Sequence, residues 1–190
     1  MFTSFYTNID KKIELKQNDP LSKIRYLVID VDGTMTDGGV YYDEKGNEWK
    51  KFCTRDAAGF FAAKVCGIFI MVITGRKCAA TERRMRELQV DLLEQEVVNK
   101  TEYLEKYISK NSIGKEEIAF IGDDLNDYTA MQLAGFCACP SDAAEEVKEI
   151  SDYISSKKGG EGAVREIISY LLKQRGQWQQ AIEQCYKMGR

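Results

Sequence analysis

The sequence predicts an α/β protein: a doubly wound, Rossmann-like parallel sheet with helices on both of its faces. Two observations carry that expectation. Short apolar runs rich in strand formers recur along the chain at 24–29, 68–73, 118–121 and 136–139, and unbroken apolar character is what a strand buried on both faces requires. Between and after them lie segments with helical spacing at 57–66, 78–88, 101–111, 128–134, 143–150 and 163–173. Strand and helix in alternation make right-handed crossovers, and in such sheets ligands bind beyond the carboxyl ends of the strands.

Taken in order, residues 1–22 mix polar and apolar types irregularly and run to Pro20. They read as an N-terminal extension ahead of a domain spanning 23–173. The first strand is followed directly by a departure from the alternation. Val40-Tyr41-Tyr42, the turn Asp43-Glu44-Lys45-Gly46 and the stretch up to Phe52 read as a β-hairpin over 39–52, too short to form a cap domain. Residues 174–190 are polar, carry Trp178 and Tyr186, and read as a further amphipathic helix or a tail.

Composition narrows the function. With 44% apolar and 30% charged residues the chain can bury a core. A net charge of −3 with interspersed signs gives no basic stripe for a nucleic-acid backbone. No apolar stretch approaches the length of a membrane span or the apolar core of a signal peptide, so the expectation is a cytoplasmic protein without nucleic-acid or membrane partners. The 6 cysteines form no CxxC pair and there is no histidine, so a zinc site is not expected, and the thiols read as reduced. Acid–base chemistry must then run on carboxylates, Lys, Tyr or Cys.

Carboxylates stand where the ligand crevice should open. The first strand ends in Asp30-Val31-Asp32-Gly33-Thr34 and the third in Gly122-Asp123-Asp124, with Asp127 just beyond. Like charges so close need a cation, and an all-oxygen donor set suits magnesium. The second strand ends in Thr74-Gly75, at the mouth of a helix whose N–H groups can receive an anion, and Lys100 precedes another helix. Singly, each has a plain structural reading: a capping pair, a turn, a solvated lysine. Jointly, and each at a strand end or its equivalent, they describe a phosphoryl-transfer site.

In this order the motifs resemble the haloacid dehalogenase superfamily. The resemblance implies that Asp30 is the nucleophile that forms an aspartyl phosphate and Asp32 the general acid and base. It gives Asp123 magnesium together with the Asp30 carboxylate and the Asp32 backbone carbonyl. Thr74 and Lys100 would bind the phosphoryl oxygens, with Asp124 and Asp127 in support. A closer similarity, over residues 24–172, is to the capless branch of 3-deoxy-D-manno-octulosonate 8-phosphate phosphatases and nine-carbon sialic-type acid 9-phosphate phosphatases. It rests on Thr36-Asp37-Gly38, Gly46-Asn47-Glu48, Phe52-Cys53-Thr54-Arg55-Asp56 and the segment from Lys158-Gly159-Gly160-Glu161-Gly162 to Glu166.

This branch implies a homotetramer whose hairpins meet centrally, and a sugar-acid substrate. It places Thr74, Gly75, Arg76, Arg84, Lys100, Arg55 and Asp56 around that substrate. Thr74-Gly75-Arg76 with Arg84 is similar to the eight-carbon enzymes, which makes the eight-carbon ester the first expectation. Glu48-Trp49-Lys50-Lys51-Phe52 and Gly159-Gly160-Glu161-Gly162 are similar to the nine-carbon enzymes. Phe61, Cys53 and Ala57 depart from the branch's frequent residues. Rival readings are a phosphotransferase on the same site, a non-catalytic activator of a cytidylyltransferase and a receiver-like domain.

Overall fold

Among residues 20–187, which the computed structural model describes, a 3-10 turn at Pro20–Lys23 leads into β1 (Tyr26–Ile29). There follow the hairpin strands β2 (Tyr41–Tyr42) and β3 (Glu48–Trp49), then α1 (Asp56–Val65), β4 (Phe69–Ile73), α2 (Ala79–Leu88) and β5 (Leu92–Glu94). The second half contains α3 (Lys100–Asn111), β6 (Ile118–Ile121), α4 (Leu125–Met131), β7 (Phe136–Cys139), α5 (Glu145–Glu149), β8 (Tyr153–Ile154), α6 (Ala163–Gln174) and α7 (Trp178–Lys187). Most of the extension expected over 1–22, and the last residues of the tail, lie outside the described residues.

The main sheet is 6-stranded in the order β5-β4-β1-β6-β7-β8, and its pairings are parallel. β1 pairs with β4 on one side and β6 on the other, with Ile29 opposite both Val72 and Ile121. The chain therefore winds outward from β1 in one direction and then the other, and the crevice of the doubly wound fold opens at the end of β1.

The sheet separates two apolar layers. Phe60, Ala62 and Ala63 of α1, Met85 and Leu88 of α2, Ile167, Ile168 and Leu171 of α6 and Ala181 of α7 pack on one face. Leu104 of α3, Ala130 and Met131 of α4 and Val147 of α5 pack on the other. Every residue of β6 and β7 is buried, which is why both read as uninterrupted apolar runs.

The structure adds two strands that the sequence did not suggest, β5 and β8, at the two edges of the sheet. Each is short and only partly buried, so neither carries an apolar run. The helix expected over 128–134 occupies Leu125–Met131 instead. The Asp124 carboxylate accepts from the Leu125 N–H at 2.8 Å and Asp127 accepts in return from the Asp124 N–H, a capping box that starts the helix early. The hairpin forms as expected, its turn closed by the Asp43 carboxylate, which accepts from the N–H groups of Lys45 and Asn47.

Candidate active site

The site is assembled from the carboxyl ends of β1, β4 and β6, the N-terminus of α3 and the hairpin. Asp30, the residue after β1, is 2% exposed, and its backbone N–H still donates to the Ile121 carbonyl at 3.0 Å. Its carboxylate is thereby held at the strand end, between what β4 and β6 deliver. Lys100 opens α3, which Asn99 caps by accepting from the Glu102 N–H at 3.0 Å. Its ammonium, on a side chain 1% exposed, reaches Asp30 at 2.5 Å and Asp127 at 2.6 Å.

Asp123 follows β6 and receives the Thr34 hydroxyl at 2.8 Å. Asp127, on the first turn of α4, is fully buried and accepts the Asp123 N–H at 3.1 Å. One carboxylate oxygen from each of Asp30, Asp123 and Asp127 lies within 4.8 Å of the others. Burial, reinforced by Asp127 and opposed by Lys100, pushes Asp30 above the usual carboxylate range. Burial and the neighbouring Asp30 do the same to Asp123. Burial works against the Lys100 ammonium, but Asp30 and Asp127 outweigh it and hold its pKa above the usual value. The one ammonium does not neutralise three gathered carboxylates, and their donor atoms are hard oxygens. This set fits a small divalent cation such as magnesium, and it contains no cysteine.

The Asp32 side chain turns away from this cluster. Its Oδ2 accepts from the Thr74 hydroxyl at 3.3 Å, and its Oδ1 pairs with Lys50. Thr74 is buried at the end of β4, and its hydroxyl oxygen also accepts from the Arg76 N–H at 3.3 Å, so Gly75 sits in a tight turn that faces the crevice. Gly33 has φ +89°, and a Cβ there would stand 2.0 Å from Asp123 Oδ2. A Cβ on Gly159 would meet the Gly33 carbonyl oxygen at 1.8 Å, so the glycine-rich segment before α6 packs directly on the loop that carries the catalytic candidates.

The residues expected around a substrate divide into two groups. Arg76 stands beside the crevice, its guanidinium bound by Glu48 at 2.8 Å and 3.3 Å and by the Tyr42 hydroxyl oxygen at 3.1 Å. Arg84, Arg55 and Asp56 lie around α1. Arg84 donates to the Cys53 carbonyl at 3.2 Å and fastens the segment ahead of α1 to α2. Asp56 is 2% exposed and accepts the Arg165 N–H at 2.9 Å, joining α1 to α6. Arg55 is exposed and lines a cavity of about 580 Å³ with Phe61, Lys64, Arg165 and Tyr186, between α1 and α7. None of Asp30, Asp32, Thr74, Lys100 and Asp123 lines that cavity. Asp124 is exposed and serves as the cap of α4.

Sequence reasoning gave no role to Lys50 and Thr34. For Lys50 there was a signal: Glu48 and Lys50 alternate along an extended chain, which puts two opposite charges on one face of the hairpin. Thr34 offered none beyond its place in the motif.

Residues 90–168 match the haloacid dehalogenase-like hydrolase family. Over 158 residues the chain is 36% identical to the 3-deoxy-D-manno-octulosonate 8-phosphate phosphatase of Escherichia coli strain K12, covering 83% of this chain and 84% of that one. The chain belongs to the haloacid dehalogenase-like hydrolases. Within them it is a phosphatase of the branch to which that enzyme belongs. The crystal structure of the corresponding Moraxella catarrhalis phosphatase, in complex with magnesium, phosphate and the free eight-carbon sugar acid, is similar with a TM-score of 0.83 and 36% identity. That match covers 87% of this chain and 95% of the other. The cobalt-bound Haemophilus influenzae phosphatase gives a TM-score of 0.79 and 31% identity, over 84% of this chain and 94% of that one. A haloacid dehalogenase-like hydrolase core accounts for the parallel sheet and for the acidic crevice at the end of β1.

Proposed function

We propose that this phosphatase hydrolyses 3-deoxy-D-manno-octulosonate 8-phosphate to the free sugar acid and phosphate. The observation that carries the reading is the Asp30 carboxylate, enclosed at the end of β1, where the Lys100 ammonium joins it to Asp127 and the Asp123 carboxylate lies close by. The named relatives act on that ester, and Arg76, its guanidinium held by Glu48, stands beside the crevice, where it adds positive charge for a sugar-acid carboxylate.

In this reading an Asp30 oxygen attacks phosphorus in line, the bond from phosphorus to the sugar oxygen breaks, and Asp32 delivers its proton to that oxygen. Water then attacks the aspartyl phosphate and gives its proton to Asp32, the bond between phosphorus and Asp30 breaks, and phosphate leaves. Thr74 and Lys100 orient the phosphoryl oxygens, and Lys100 offsets their charge as the nucleophile approaches. Asp30 and Asp123, with the Asp32 backbone carbonyl, would hold magnesium. When bound, the ion draws negative charge from the phosphoryl oxygens. Asp127 keeps Lys100 and the Asp123 backbone in place.

Phosphate release from a panel of sugar-acid phosphates, with magnesium and with chelator, tests this beside Asp30→Asn. The expected result is magnesium-dependent turnover highest for the eight-carbon ester and lowered at least about a thousandfold by Asp30→Asn. Preference for a nine-carbon ester overturns the substrate, and turnover undiminished in Asp30→Asn overturns the mechanism. The exposed Val40, Tyr41, Tyr42 and Trp49 of the hairpin, 48–65% accessible, support assembly through this ribbon into a homotetramer.

A further inference from the structure

Asp32 is fixed from two directions, and only one of them comes from the sheet. Thr74, at the end of β4, donates to Oδ2, while Oδ1 is held by Lys50 at the end of the hairpin. The Lys50 side chain is 1% exposed, and its ion-pair partners are Asp32 and Glu48, the latter at 3.4 Å. An ammonium so far removed from water is tolerated only with such partners, and one with two carboxylates has a defined place. Glu48 is in turn gripped by both Nε and Nη2 of Arg76, and this guanidinium holds the Glu48 carboxyl below its usual range. A continuous chain of charges, Arg76 to Glu48 to Lys50 to Asp32, therefore runs along the inward face of the hairpin.

We propose that Lys50 is a positioning residue for this phosphatase: it holds the Asp32 carboxyl group in the orientation from which a proton reaches the leaving oxygen, with Glu48 fixing Lys50 in turn. The hairpin thereby becomes part of the catalytic apparatus as well as a surface ribbon. Asp32 has two side-chain torsions, and without Lys50 its Oδ1 loses the partner that fixes them. Asp32 then spends most of its time in orientations that do not deliver a proton, while the phosphoryl group still meets Lys100 and Thr74. The loss falls on kcat and leaves KM nearly unchanged. This inference rests on the role given to Asp32 above, and the experiment separates the two.

The test uses the full chain with magnesium and the preferred ester, and compares Lys50→Met, Lys50→Gln, Lys50→Arg, Asp32→Asn and the double variant Asp32→Asn with Lys50→Met. Circular dichroism melts select whichever of the methionine and glutamine variants keeps the native transition. The selected variant is expected to lose at least about tenfold in kcat with KM within about threefold, and Lys50→Arg to recover most of the loss. The double variant should be no slower than Asp32→Asn alone, because Lys50 acts through Asp32. Wild-type kcat in Asp32→Asn refutes the acid–base role itself. An inactive Asp32→Asn beside an unchanged kcat in the Lys50 variant, or a loss confined to KM, overturns the positioning role alone.

Discussion

Asp56, expected near a substrate, is enclosed in the structure as the acceptor for the first turn of α6. Burial raises its pKa to about 6, against the pull of the Arg165 N–H and the nearby Arg84 and Arg165 guanidinium groups. The folded state thus binds a proton more tightly than the unfolded state. The stability this adds is complete below about pH 4 and is lost as pH rises through about 6. Two pH units correspond to on the order of 2–3 kcal/mol. Asp56→Asn keeps the acceptor oxygen and removes the charge. Its stability relative to wild type should rise by that amount between pH 4 and pH 7, measured as urea midpoints at matched pH. Parallel curves for the two proteins would remove Asp56 from the account.

At the scale of elements, α7 is the helix that the segment read as an amphipathic helix or a tail forms, and it lays Ala181 and Trp178 against the core beside α1 and α6. Arg165 of α6 lies over the Trp178 ring, 4.6 Å from its centroid, and is steadied by the Ser169 hydroxyl at 3.0 Å. Trp178→Ala removes both the half-buried ring and this contact. We expect about 2 kcal/mol of lost stability, seen as a melting point several degrees lower. Because α7 supplies none of the proposed catalytic side chains, kcat should be unchanged. A fall in kcat without a fall in melting point would contradict that assignment. The glycine-rich segment before α6 belongs to the same scale. Its similarity to the family was visible in the sequence, but its purpose, close backbone contact with the loop after β1, is a matter of three-dimensional approach.

Over the whole molecule, the hairpin stands out because it is polar and charged toward the crevice and aromatic on its outer surface. Trp49 is 62% exposed and Tyr41, its partner across the ribbon, 48%, an unusual density of large rings on a ribbon this short. If four ribbons meet, these rings become the centre of the assembly. Trp49→Lys should then shift the sedimentation coefficient from that of a tetramer toward that of smaller species, at little cost to the fold of each subunit. A tetramer that persists in this variant would place the contact elsewhere. Among the described residues no helix is long and apolar enough to cross a membrane.

The sequence by itself determined the central sheet and the identity of the acidic crevice. β1, β4, β6 and β7 are buried on both faces, so burial wrote itself into unbroken apolar runs; Asp30 and Thr74 follow those runs directly, and Asp123 follows after Gly122. The edge strands β5 and β8 are half-covered and left no such trace. Tertiary structure alone decided which charges meet. It set Lys100 between Asp30 and Asp127, and brought Lys50 to Asp32 from a hairpin that the sequence could only describe as a ribbon. The physical reason is range. Periodicity and capping are local properties of the chain, whereas an ion pair between distant positions exists only once the backbone has brought its two ends together.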